Sequence, residues 1–78
     1  MKLYEFLSLG EEQQYQAVWD HGVYVDDVIY EGLHYQLYAI NDFYVEVWYD
    51  SQSNKIVGKL PFRQGEHLDK YLNKGPLL

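Results

Sequence analysis

The stretch Phe43-Tyr44-Val45-Glu46-Val47-Trp48-Tyr49 constrains this chain more than any other. Seven residues, β-branched or aromatic except for one glutamate, stand between Asn41-Asp42 and Asp50-Ser51-Gln52-Ser53-Asn54, so the segment reads as a strand bounded by turn residues on both sides. Successive side chains of a strand point to opposite faces. Phe43, Val45, Val47 and Tyr49 therefore share one apolar face, which is expected to lie beneath helices, while Tyr44, Glu46 and Trp48 share the other.

The neighbouring segments supply partners for this strand. Val23 to Tyr30 reads as a strand interrupted by Asp26-Asp27, which makes it an edge strand or a bulged one. Glu31-Gly32 is a hairpin turn signal, and Leu33 to Ile40 forms the second strand. A two-residue Asn41-Asp42 turn would put His34, Gln36 and Tyr38 on the apolar face, where unpaired polar groups are costly. A three-residue loop, Ile40-Asn41-Asp42, aligns Leu33, Tyr35, Leu37 and Ala39 with that face instead and is the expected form. For the last hairpin, a Ser51–Asn54 loop sets Asp50 against Lys55, Tyr49 against Ile56, Trp48 against Val57, Val47 against Gly58, Glu46 against Lys59, Val45 against Leu60 and Phe43 against Phe62. Two opposite-charge pairs favour that register, each contributing about 0.2–1 kcal/mol. Pro61 lacks an N–H, which places the fourth strand at a sheet edge.

Leu3 to Leu7 is too short for periodicity to assign and is expected to be a turn or irregular segment. Ser8-Leu9-Gly10-Glu11 matches a capping box, and Tyr15, Val18 and Trp19 fall on one helical stripe, so the first helix is expected over about residues 9–21 with Gly22 as its stop. Leu68, Tyr71 and Leu72 indicate a second, short helix over about residues 65–73, and Gly75-Pro76 ends it. The expected fold is α+β: a two-layer α-β-β-β-β-α arrangement with a four-stranded antiparallel meander and both helices on one face. Residues 1–74 form a single domain in this reading, and 75–78 a loose tail.

A 78-residue chain, 47% hydrophobic, can fill one small core. The absence of cysteine excludes disulfides and Cys-ligated zinc. No apolar run is long enough to cross a membrane, and Met1-Lys2-Leu3-Tyr4-Glu5 lacks a signal peptide's apolar stretch, so a cytoplasmic location is expected. Residues 1–50 hold one lysine and ten acids, a balance of −9; residues 51–78 hold five basic groups and two acids, a balance of +3. That acidity argues against phosphate-backbone binding, which draws on clustered Lys and Arg.

No chemistry-bearing constellation emerges. His21, His34 and His67 are scattered and lack ligand spacing, so no metal is expected. Asp26 and Asp27 are neighbours on a strand and point apart, which prevents paired acid–base work. No phosphate loop or nucleophile elbow is present, and neither a catalytic residue nor a cofactor is assigned. The candidate binding residues are the even face of the third strand and what the expected register sets beside it: Tyr44, Trp48, Tyr38, His34 and Glu46. An acidic aromatic surface suits a protein partner, because Tyr and Trp anchor interfaces. The expected function is a non-enzymatic protein–protein interaction module whose partner is another protein or a second copy. An acidic inhibitor of phage or mobile-element origin that imitates nucleic-acid charge is a second reading. A single-strand nucleic-acid binder stacking bases on Tyr44 and Trp48 is a third.

Phe43-Tyr44-Val45-Glu46-Val47-Trp48-Tyr49-Asp50, Asn54-Lys55-Ile56, Leu68-Asp69-Lys70-Tyr71-Leu72 and Val18-Trp19-Asp20-His21-Gly22 together resemble a family of small bacterial proteins, some associated with mobile elements. The resemblance spans about residues 3–72 and implies neither an activity nor catalytic residues.

Overall fold

A computed structural model describes residues 1–63 and 65–72. Two helices, α1 (Leu3–Leu7) and α2 (Glu11–His21), precede four strands, β1 (Val23–Tyr30), β2 (Leu33–Ile40), β3 (Phe43–Asp50) and β4 (Ile56–Phe62). A 3-10 turn, Glu66–Leu68, then leads into the short helix α3 (Asp69–Leu72). The strands form one antiparallel sheet in the order β1-β2-β3-β4, so the α+β class and the meander are as expected.

The amino-terminal segment is helical rather than irregular. The Glu5 carboxylate accepts from the Lys2 backbone N–H at 2.7 Å, which closes a single turn and aims Phe6 at Phe43, their ring centroids 5.5 Å apart. Ser8 ends this turn instead of opening the next helix: its hydroxyl donates back to the Glu5 carbonyl at 2.7 Å. Gly10 is the N-cap of α2, and the Gln13 side chain accepts its N–H at 3.1 Å. Gly22 stops α2 as expected, although with φ −77° it is extended. Its lack of a side chain matters for space, since a Cβ would lie 2.5 Å from the Val18 carbonyl oxygen.

The odd-numbered side chains of β3 point inward as expected. Phe43, Val45 and Val47 are buried with Phe6, Ala17, Val18 and Ile40 under α1 and α2. The other face is covered too, which corrects the two-layer expectation of both helices on one side. Tyr71 of α3 and Leu68 pack there against Leu37, Phe62, Val28, Tyr35, Tyr44 and Leu60. The sheet thus lies between two small layers, and Tyr35 and Leu37 of β2 find their apolar cover from the carboxyl-terminal segment. The expected tail, 75–78, lies outside the described residues.

This second layer explains both register corrections. Ile40 pairs with Phe43 across a two-residue Asn41-Asp42 turn, with Asn41 at φ 53°, rather than across three residues. His34, Gln36 and Tyr38 consequently share the helix-bearing side with Phe43 and Val45, but their polar atoms have partners. Tyr38 donates to the side-chain oxygen Oε1 of Gln36 at 2.8 Å, and His34 bonds Asp27. Among the described residues, no buried side-chain nitrogen or oxygen lacks a hydrogen-bond partner. In the last hairpin Tyr49 meets Ile56 as expected, but Val57 bulges out and every later rung shifts by one. Trp48 then faces Gly58, Val47 faces Lys59 and Glu46 faces Leu60. Asp50 still faces Lys55 as expected, its N–H donating to the Lys55 carbonyl at 2.8 Å, but Glu46 and Lys59 are no longer opposite: Lys59 Nζ sits 4.4 Å from the Tyr15 ring centroid, and Glu46 is satisfied from α3.

Candidate interaction surface

The five candidate binding residues do not form one surface. Tyr44, Glu46 and Trp48 lie on the α3 side, and His34 and Tyr38 on the side of α1 and α2. The face expected to be open is occupied.

Glu46 is the centre of that occupied face. It is 1% exposed and accepts three hydrogen bonds: from Trp48 Nε1 at 2.6 Å, Lys70 Nζ at 2.7 Å and the Tyr71 hydroxyl at 2.8 Å. A buried carboxylate persists only with such a set of donors. Lys70 also lies 4.4 Å from the Tyr35 ring centroid, which holds its stem in place. Burial, and then the hydrogen bond to Glu46, pushes the Tyr71 hydroxyl well above its usual range, so it remains a donor. Trp48 lies across Gly58 and edge-on to Tyr35. Bases have no open stacking platform there, and the cluster's chemistry is that of a fastening between α3 and the sheet.

On the opposite side, Asp27 gathers polar side chains near the sheet edge. His34 Nε2 is 2.5 Å from Asp27 Oδ2, and the Tyr24 hydroxyl donates to Oδ1 at 2.6 Å. That hydrogen bond, with burial and the nearby acids adding to it, pushes the Tyr24 hydroxyl up to about 12. Tyr38 sits edge-on to both Trp19 and Tyr24, at 5.8 and 5.9 Å between centroids, which links α2 through the sheet to β1. Among the described residues, no group of three or more His, Asp or Glu could hold a metal.

The residues that the aromatic-face reading missed are on β1. Among the described residues this strand pairs with β2 alone. Val23 and Ile29 are 67% and 65% exposed, and Tyr24, Val25 and Tyr30 are exposed as well. Val25 is bulged out of the β1–β2 register, while Asp26 to Tyr30 pair regularly with Leu37 to Leu33. An eight-residue edge with five exposed large apolar side chains is unusual, because sheet edges are ordinarily kept short or polar. The signal stands in the sequence as apolar residues on both sides of Asp26-Asp27, in a segment already read as an edge or bulged strand. Among the described residues, no helix is long and apolar enough to cross a membrane.

Comparison with protein-family models, with curated proteins and with solved structures gives no match to this chain.

Proposed function

We propose that this chain is a non-enzymatic protein–protein interaction module that engages its partner along the outer edge of β1. The observation that carries this reading is the exposure of Val23, Tyr24, Val25, Ile29 and Tyr30 on a strand that, among the described residues, pairs with β2 alone. Unpaired backbone N–H and C=O groups on such an edge accept an additional strand, and alternate side chains supply specificity. Two features favour this over a nucleic-acid platform or a phosphate mimic. Tyr44 and Trp48 pack beneath and beside other side chains, and two of the acids, Asp27 and Glu46, are engaged inside the fold.

The test is capture of partners from the native host by the wild-type chain and by two variants. Val23→Lys combined with Ile29→Lys alters only exposed side chains of β1 and is expected to lose the partner while melting as the wild type does. Leu7→Ser, exposed on α1, is expected to keep it. Retention of the partner by the β1 variant would place the interface elsewhere.

A further inference from the structure

At the corner where α2 turns into β1, aromatic rings from three elements meet. Trp19 precedes the Gly22 stop and Tyr24 follows it, and both rings lie edge-on to Tyr38, at 75° and 74°. Gly22 keeps the corner tight, since a Cβ there would also come within 3.3 Å of Tyr38 Cβ. Tyr15, one turn back on α2, lies 6.4 Å from Trp19 at 25°. The indole is thus held between Tyr15 and Tyr38, yet Trp19 is 44% exposed and Tyr24 53%. A rigid, partly exposed Trp offers contact area at little cost in conformational entropy, and Trp is enriched among the residues that anchor interfaces.

The charge around these rings selects the occupant. Helix α2 carries Glu11, Glu12 and Asp20 and no lysine or arginine. Gln16 neighbours both Trp19 and Asp20 on the helix surface, and its side chain donates to one oxygen of the exposed Asp20 carboxylate at 2.9 Å, which sets that carboxylate alongside the indole. Among the described residues Asp20 has no ion-pair partner. The chain's own cations lie on ring faces elsewhere: Lys59 on Tyr15, Lys70 on Tyr35 and Arg63 on Tyr4, at 4.4, 4.4 and 5.8 Å. We propose that the Trp19–Tyr24 corner receives an arginine side chain of another protein, its guanidinium plane on the exposed indole and its N–H groups toward Asp20. Arginine fits better than lysine, because a planar, weakly hydrated guanidinium stacks on a ring while it donates to a carboxylate. A second copy fits poorly: Arg63 is the chain's single arginine and already lies over Tyr4, and each copy carries a net charge of −6. The proposed contact rests on the chain being an interaction module, but it needs neither the backbone edge of β1 nor the carboxylates of Asp26 and Asp27.

The experiment is selection of a displayed library of random peptides on the full chain, followed by titration of the enriched synthetic peptides against the wild type and its variants. The expected peptides share an arginine, and their binding shifts the indole N–H resonance of Trp19 while that of Trp48 stays in place. Affinity should fall about tenfold with Trp19→Ala, about threefold with Asp20→Asn, and about tenfold when citrulline, the uncharged isostere, replaces the arginine. Should Trp19→Ala loosen the fold, the Asp20→Asn loss and the indole shift decide alone. Peptides that need Trp19 but bind equally well with citrulline would overturn the arginine assignment. Peptides that lose nothing in the Trp19 and Asp20 variants but fail to bind Val23→Lys/Ile29→Lys would overturn the corner site and leave the β1 interface standing. Peptides indifferent to every variant, or no enrichment at all, would overturn the corner site and the β1 interface together.

Discussion

Trp48 occupies the space where a side chain at position 58 would sit. A Cβ built on Gly58 lies 2.7 Å from Trp48 Cε3, so Gly58→Ala must displace the indole and with it the hydrogen bond to Glu46. The expected loss is about 1–3 kcal/mol in urea unfolding, and it should shrink when Trp48→Ala is added, because the two changes remove the same contact. Equal losses in both backgrounds would show that the ring is not what excludes the methyl group. Glu46→Ala strands three donors at once and is expected to cost roughly 3 kcal/mol. A loss below about 0.5 kcal/mol, the range typical of surface substitutions, would show that the three bonds contribute no more than exposed ones. Nothing in the local sequence announces this role for Glu46. Its strand neighbours suggest a solvated partner for Lys59, and the donors Lys70 and Tyr71 come from 24 and 25 residues away.

At the scale of elements, α3 is four residues long and owes its place to its side chains, since a helix that short has little stability of its own. Tyr71 is the main anchor, and its titration gives the docking a pH dependence. Its hydroxyl pKa is raised in the folded state, so the contribution is fully present below about pH 10, the unfolded value, and falls as pH rises beyond it. Urea midpoints measured between pH 9 and pH 12 should decline in the wild type. Tyr71→Phe should start lower, having lost the bond to Glu46, and decline less steeply; parallel declines would remove Tyr71 as the cause. The short elements were also the least legible. Four strands, their meander order, the edge position of Val23–Tyr30 and the inward row of Phe43, Val45 and Val47 all follow from alternation and turn residues. The loop between β2 and β3 does not, because its length depends on whether one face of the sheet is covered or two. Tyr35 and Leu37 are apolar for a reason that lies in Leu68 and Tyr71. The Val57 bulge was hidden likewise, since two cross-strand ion pairs looked better than a shift justified only by Gly58 beneath Trp48.

For the whole molecule, the two edge strands of the sheet differ in charge: β1 carries Asp26 and Asp27, β4 carries Lys59. With both faces covered in their central parts, the exposed apolar surface of the sheet concentrates on β1, with a smaller part at Ile56 and Val57. The aromatic residues chosen as binding candidates are spent on packing: Tyr44 on Phe62, Trp48 on Gly58 and Tyr35, Tyr38 on Trp19. The proposed contact surface is therefore an edge and not a face. Amide hydrogen exchange, resolved residue by residue on the unliganded chain, tests this most directly. The account predicts slow exchange throughout Phe43–Tyr49 and, within Asp26–Tyr30, rapid exchange at those amides that point away from β2. Uniform protection along β1, together with rapid exchange in β3, would contradict it.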